Sequence, residues 1–264
     1  MFPVKDLFAG ARLKMSRIVI VTGGASGIGR ACAAHFAAEG DSVFITGRRA
    51  TLLEEVGIAV GATAVAFDAS DPRAVAAALA KFPANVDVLV NCAGGNTDLS
   101  RQGSPDATAR PKPADRLDQI ASGWRANFDA NVLSAVLVAE AIEDRLAENA
   151  RIITIGSIAA RTGGGGSYGA AKAAIEAWTS DLARSLGPRR ITANVVAPGL
   201  IESTEFFHGK LTDERRAHLV EATFTKRAGQ PDDVVATVAF LASSGAGHIT
   251  GQVIPVNGGA HLAR

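Results

Sequence analysis

At 264 residues, 47% of them hydrophobic and 20% charged, the chain has the size and core content of one large globular domain. A net charge of +1 gives no electrostatic case for nucleic acid or an anionic membrane, and no apolar run approaches the ~20 residues of a membrane span. Cys32 and Cys92 sit in apolar surroundings and read as reduced thiols of a cytoplasmic protein, while the scattered histidines lack metal-ligand spacing, so no metal site is expected.

Residues 1–15, MFPVKDLFAGARLKM, lack the apolar segment and cleavage site of a secretory signal and read as an N-terminal arm, docked or frayed. Arg17 to Val21 is β-branched and predicts a buried parallel strand. It runs into Thr22-Gly-Gly-Ala-Ser-Gly-Ile-Gly29 and then an alanine-rich helix to about Glu39, closed by Gly40. A glycine turn between strand and helix is a phosphate cradle: backbone N–H groups and the positive helix end face the anion, and side chains would block it. Gly23, Ser26, Gly27, Ile28 and Gly29 are therefore candidate nucleotide contacts.

Ser42 to Thr46 predicts the second strand. Dinucleotide folds usually place an acid near its end to bind the ribose 2′-hydroxyl. Here Gly47, Arg48 and Arg49 stand there. Without a carboxylate nothing repels a 2′-phosphate, and a guanidinium can grip one, which favours NADP(H) and leaves NAD(H) as the alternative. The competing reading makes Arg48 a solvated strand-end charge.

Ala62 to Phe67 predicts a third strand ending at Asp68, which either bonds the adenine amino group or caps the next helix. That helix spans Pro72 to Phe82. Val86 to Val90 is a fourth buried strand, and the small residues after it, Ala93 and Gly94, let backbone approach a cofactor. Asn91 belongs to the same cofactor-site candidates, either tying neighbouring strands there or being purely structural. Asn96 to Asp118 is polar and proline-containing and reads as an exposed loop at the site rim. A helix then runs through Trp124, Phe128 and Asn131 to Leu146. An interior Asn among Ala, Val and Leu is costly unless bonded, so Asn131 either kinks the helix or serves the site.

Ile152 to Ile155 predicts a strand ending in Gly156-Ser157, followed by the Gly163–Gly166 turn and a helix from about Tyr168 to Leu186. Tyr168 and Lys172 are four apart and share one helix face. A free phenol with a pKa of about 10 is a poor proton shuttle at neutral pH, and a fixed ammonium beside it is expected to lower that value. Ser157 can donate to a substrate carbonyl at the same centre. Gly187-Pro188 stops the helix, Ile191 to Val196 forms a sixth strand, and Pro198-Gly199 turns the chain over the site. Residues 200–224 read as a helical substrate lid anchored by Phe206, Phe207 and Leu211, with Ser203 or Thr204 touching the cofactor amide. Pro231 to Ala242 is a last helix and Gln252 to Val256 a last strand. Unbroken strand-helix alternation predicts a single-domain α/β protein over 1–264: a Rossmann-type, doubly wound parallel sheet of about seven strands with helices on both faces.

Taken together, Thr22-Gly23, Gly27-Ile28-Gly29, Asn91-Cys92-Ala93-Gly94, Asn131, Ser157, Tyr168-x-x-x-Lys172 and Pro198-Gly199 resemble a short-chain dehydrogenase/reductase from about Arg17 to Leu262. The closing half is most similar to the 3-oxoacyl-(acyl carrier protein) reductase branch. The resemblance implies that Tyr168 is the proton donor, that Lys172 binds the nicotinamide ribose and tunes the tyrosine, that Ser157 polarises the carbonyl and that Asn131 holds a relay water. It implies a ketone–alcohol oxidoreductase and a homo-oligomer, often a tetramer, sharing the Asn131 and Tyr168 helices. An NAD-linked alcohol, sugar or steroid dehydrogenase and a non-catalytic cofactor-binding regulator are the alternatives. Cys92 stands where the family more often has Asn, and the Ser157–Tyr168 gap is short for the family. Glu140, Glu143 and Asp144 replace a basic docking surface, although Arg184 matches one basic position. Repulsion of an acidic carrier protein there favours free ketones over carrier-bound substrates.

Overall fold

A computed structural model describes residues 16–101, 113–163 and 165–262. The N-terminal arm, positions 102–112 of the expected rim loop, Gly164 and the last two residues lie outside it. Seven strands form one parallel sheet among the described residues: β1 (Ile18–Thr22), β2 (Ser42–Gly47), β3 (Thr63–Ala66), β4 (Val86–Asn91), β5 (Leu146–Ile155), β6 (Thr192–Pro198) and β7 (Val253–Val256). Their order is β3-β2-β1-β4-β5-β6-β7, with every pairing parallel.

The strands are apolar at consecutive positions because both sheet faces are covered. Alternate side chains feed two separate cores. Val19, Val21, Val88, Val90 and Ile153 join one cluster, while Ile20, Leu89 and Ile152 join the other. On the first face lie α1 (Gly27–Ala38), α2 (Ala50–Val60) and α10 (Pro231–Leu241), contributing Phe36, Leu53 and Val238. On the second lie α3 (Pro72–Ala78), α6 (Ser134–Ile142) and α8 (Gly166–Leu186), contributing Val75, Val138 and Leu182.

Several elements differ from expectation. The α2 helix has no counterpart in the sequence reading; it follows the two arginines directly and ends on left-handed Gly61. The α3 helix is capped by Asp71, whose side chain accepts from Arg73 N and Ala74 N, so the cap expected of Asp68 belongs three residues later. The rim loop carries a short helix, α4 (Thr97–Arg101), and its far end is already α5 (Pro113–Phe128). Between α5 and α6 the chain makes a π-helical turn, Asp129–Leu133, centred on Asn131. The β5 strand starts at Leu146, with a register shift against β4 between Val86 and Val88. A further short helix, α7 (Ala159–Thr162), fills the path from Ser157 to α8. Of the expected lid, only α9 (Asp213–Glu221) is regular helix; residues 201–212 run as turns.

Candidate active site

The site lies at the carboxyl end of the sheet, beside the point where strand order reverses between β2-β1 and β4, the usual place for ligands in such sheets. Beyond β1 the chain packs against the end of β4 too closely for side chains. A Cβ on Gly23 (φ +68°) would lie 2.9 Å from the backbone of Ala93, and one on Gly29 would lie 2.3 Å from Gly23 O. Thr22 Oγ1 fixes this junction by accepting from Cys92 N and Ala93 N, both at 3.0 Å. Asn91, expected to tie the strands, is buried with both carboxamide atoms unpartnered among the described residues. The threonine does that job instead.

A cavity of about 750 Å³ opens over this junction. Gly23, Ser26, Gly27, Ile28, Ala93 and Gly94 line it, and so do Pro198 and Gly199. Ser26 occupies the N-cap of α1 without a side-chain cap bond, and no acidic residue stands in the first turn. Its N–H groups are therefore open to an anion. Bare glycine backbone and an uncapped helix start fit a dinucleotide. At one end of the cavity lie Arg48, Arg49 and Asp68. Asp68 Oδ1 accepts from Ser70 N (2.9 Å) and Ser70 Oγ (2.7 Å), a local turn. Arg49 donates to Glu205 at 2.8 and 3.3 Å and to Ser26 Oγ at 3.4 Å.

At the other end are Tyr168, Ser157 and Lys172. Lys172 is 5% exposed and donates to Ile155 O at 2.8 Å, with Nζ 5.8 Å from the centre of the Tyr168 ring. Ser157 Oγ accepts from Ala159 N at 3.1 Å, so the start of α7 holds it in place. Burial pushes the Tyr168 phenol up to about 12, while its hydrogen bond with Ser157 pulls the other way. Burial also pushes the Lys172 ammonium down to about 8. The expected acidification of the phenol by the ammonium is absent here: desolvation is the largest influence on both groups and opposes both charged forms. Burial likewise pushes the Cys92 thiol up to about 11. Phe206 leans on the Tyr168 ring at 5.5 Å between centroids, and Phe207 meets Phe206 edge-on at 5.0 Å.

Four predicted residues stand off the cavity, the buried Asn91 among them. Gly29 lies behind Gly23. Ser203 is exposed, and its hydroxyl faces Gln230 Oε1 at 3.3 Å, whereas Thr204, the other candidate for that role, lines the cavity. Asn131 is buried with its carboxamide committed to backbone: Oδ1 accepts from Gly95 N at 3.0 Å, and Nδ2 donates to Gly95 O and Asn127 O, both at 2.9 Å. It pins the Gly94–Gly95 strip that floors the site.

One residue escaped the sequence reading. Asn127, fully buried one turn before Asn131, accepts from Thr97 N at 3.2 Å and donates to Ser167 Oγ at 2.9 Å. Ser167 donates in turn to Asp98 Oδ2 at 3.1 Å. The rule that an interior Asn needs partners applies to it as fully as to Asn131. A second cavity, about 420 Å³ beside β7 and lined by Arg227, Asp233 and His261, contains none of the predicted site residues.

A family model described as enoyl-(acyl carrier protein) reductase matches residues 23–261. The 3-oxoacyl-(acyl carrier protein) reductase FabG of Escherichia coli (strain K12) is 33% identical over 255 residues, covering 93% of this chain and 98% of that protein. An NADPH-dependent aldehyde reductase-like protein, chloroplastic, of Arabidopsis thaliana is 35% identical over 266 residues, covering 92% and 93%. Among solved structures, a short-chain dehydrogenase/reductase (glucose/ribitol dehydrogenase) from Brucella melitensis superposes with a TM-score of 0.80 at 28% identity, covering 94% of this chain and 97% of that one.

Proposed function

The chain belongs to the short-chain dehydrogenase/reductase family, an NAD(P)-dependent oxidoreductase by that membership, and from there we propose an NADP(H)-dependent enzyme that interconverts a ketone and a secondary alcohol. The observation that carries this reading is the convergence of Tyr168, Ser157 and Lys172 on one end of a glycine-floored cavity. Gly23, Ser26, Gly27, Ile28, Ala93 and Gly94 would hold the dinucleotide, with Lys172 at its ribose. When bound, the nicotinamide supplies the hydride.

Everything else falls to the chain. Ser157 donates a hydrogen bond to the carbonyl oxygen and fixes its direction. Tyr168 holds the proton that this oxygen takes up on reduction, or receives it on oxidation. Burial keeps the phenol protonated at neutral pH, so the proton needed for reduction is in place, while a pKa pushed up to about 12 makes it a weaker acid than a free phenol. Lys172, fixed through Ile155 O, supplies positive charge on the same helix face. Asn131 orders the floor by clamping Gly95.

Preference for NADP(H) over NAD(H) rests on Arg48 and Arg49 at the end of β2, where an acid would otherwise reject a 2′-phosphate; the NADPH-dependent Arabidopsis relative supports it. Carbonyl substrates of the 3-oxoacyl-thioester type suit the resemblance to FabG. Exposed Glu140 and Asp144 oppose docking of an acidic carrier, and Arg184 is engaged by Asp181 at 3.4 Å, so free ketones are favoured. An exposed apolar stripe on α5, made of Leu117, Ile120 and Trp124, supports a homo-oligomer, dimer or tetramer. No helix among the described residues is long and apolar enough to cross a membrane.

Replacing Tyr168 with Phe tests the core of this reading. Ketone-dependent loss of absorbance at 340 nm should fall by about 10²-fold or more, the usual range for a lost general acid, while nucleotide binding persists. A Tyr168→Phe enzyme with near-normal turnover would remove the phenol from the role. Nucleotide binding with no turnover across a broad panel of ketones and alcohols would point to a regulator.

A further inference from the structure

One of the two arginines at the end of β2 is already occupied. Arg49, at the start of α2, meets Glu205 through both guanidinium ends, at 2.8 and 3.3 Å. The two residues are 156 positions apart in the chain and both line the cavity. Glu205 comes from the turn segment after β6, and its neighbour Phe206 leans on the Tyr168 ring. Its carboxylate is held below the usual range, first by the hydrogen bond from Arg49.

We propose that Glu205 is a built-in competitor for the nucleotide 2′-phosphate on Arg49, and that it sets how strongly this chain prefers NADP(H) over NAD(H). The inference rests on the reading above that the end of β2 receives that phosphate. The Nη1/Nη2 edge of a guanidinium holds one oxyanion bidentately at a time, and Glu205 occupies that edge of Arg49, so the carboxylate and a phosphate compete for it. Charge points the same way: Arg48 and Arg49 carry two positive charges at this end, Asp68 faces the first, and Glu205 offsets the second. The ion pair is about half exposed on both sides, 53% and 56%, and exposed pairs are weak. A phosphate monoester, with a charge of about −1.5 to −2 at neutral pH, therefore outcompetes the carboxylate without being shut out by it. Glu205 lowers the advantage of the phosphorylated nucleotide rather than abolishing it. Displacing it also frees the segment that carries Phe206 from its tie to α2.

The test needs no turnover. The full chain is titrated calorimetrically with 2′,5′-ADP and with 5′-AMP, a pair that differs only in the 2′-phosphate. In Glu205→Gln, 2′,5′-ADP should bind about three- to tenfold more tightly, as expected for removing one exposed competing charge, with 5′-AMP unchanged within about twofold. On an Arg49→Ala background the Glu205→Gln effect should vanish. Unchanged 2′,5′-ADP affinity in Glu205→Gln would overturn the proposal, and so would weakened 5′-AMP, which would make the carboxylate a partner of the ribose hydroxyl. Failure of the underlying reading looks different: Arg48→Ala with Arg49→Ala would then leave 2′,5′-ADP affinity at the unmutated level. Because Glu205 is exposed, its Gln variant should melt with the parent chain, and Glu205→Ala serves as a second variant if it does not.

Discussion

Replacing Asn127 with Ala should loosen the rim of the site from the helix that carries Tyr168. Asn127 links three elements: Thr97 N on α4, Ser167 Oγ on α8, and its own helix α5. Truncation deletes the bonds at 3.2 and 2.9 Å and takes that acceptor from the part-buried Thr97 N–H. A lost net hydrogen bond costs about 1 kcal/mol and a part-buried donor losing its acceptor about 1 kcal/mol, the low end of the buried range, so the sum is about 2 kcal/mol. In a chain of this length each kcal/mol moves the midpoint by about 2–4 °C, so Tm should fall by about 4–8 °C in a circular-dichroism melt. Hydrogen exchange should report lost protection at Thr97 before it reports any at the β1 or β4 amides, because the bond is local to the rim. Ser167→Ala breaks the link to Asp98 and also removes the Asn127–Ser167 bond that Asn127→Ala deletes, so the double variant should cost less than the two singles combined. An Asn127→Ala chain within about 0.5 kcal/mol of the parent, or strict additivity with Ser167→Ala, would refute the network.

Two other outcomes are open to measurement. Lys172 holds its proton to about pH 8 in the folded chain, whereas an unfolded lysine holds it to ~10.4. Between those values the unfolded state binds more protons, so rising pH stabilises the fold by up to ~1.4 kcal/mol per unit. Tyr168, pushed up to about 12, reverses this above its ordinary ~10. Melts of the parent and Lys172→Met from pH 7 to 9.5 should show the parent gaining on the variant above about pH 8; a constant gap would contradict the buried ammonium. Trp124, 47% exposed and stacked on Phe128 at 6.3 Å, ends the stripe proposed to join subunits. Trp124→Glu should shift the light-scattering mass towards a monomer, and a parent chain that is itself monomeric would end that proposal.

What the sequence made legible follows from locality. The β-branched runs and the glycines of Thr22–Gly29 declare themselves because a buried parallel strand and a close backbone approach each demand particular side chains, or none, at adjacent positions. Tyr168 and Lys172 were readable as a pair from helical spacing alone. The sign of the tyrosine shift was not, because it depends on how deeply both groups are buried, which the whole fold decides. Asn127 was overlooked for a related reason: its partners Thr97 and Ser167 lie 30 and 40 positions away. The exchange of Asn91 for Thr22 as the strand tie, and of Asp68 for Asp71 as the helix cap, turned on single hydrogen bonds that residue type left open.

The π-helical turn at Asp129–Leu133 gives the long segment from α5 to α6 two azimuths. Asn127 ahead of it and Asn131 within it face the Gly95–Thr97 rim; behind it, Ala135, Val138 and Ile142 look into the sheet. Since each residue turns an α-helix by about 100°, deleting one from the wide turn would swing α6 off the sheet or the asparagines off the rim. Substitutions in this stretch can be absorbed one by one, but its residue count is fixed, and indels between homologues should cluster elsewhere.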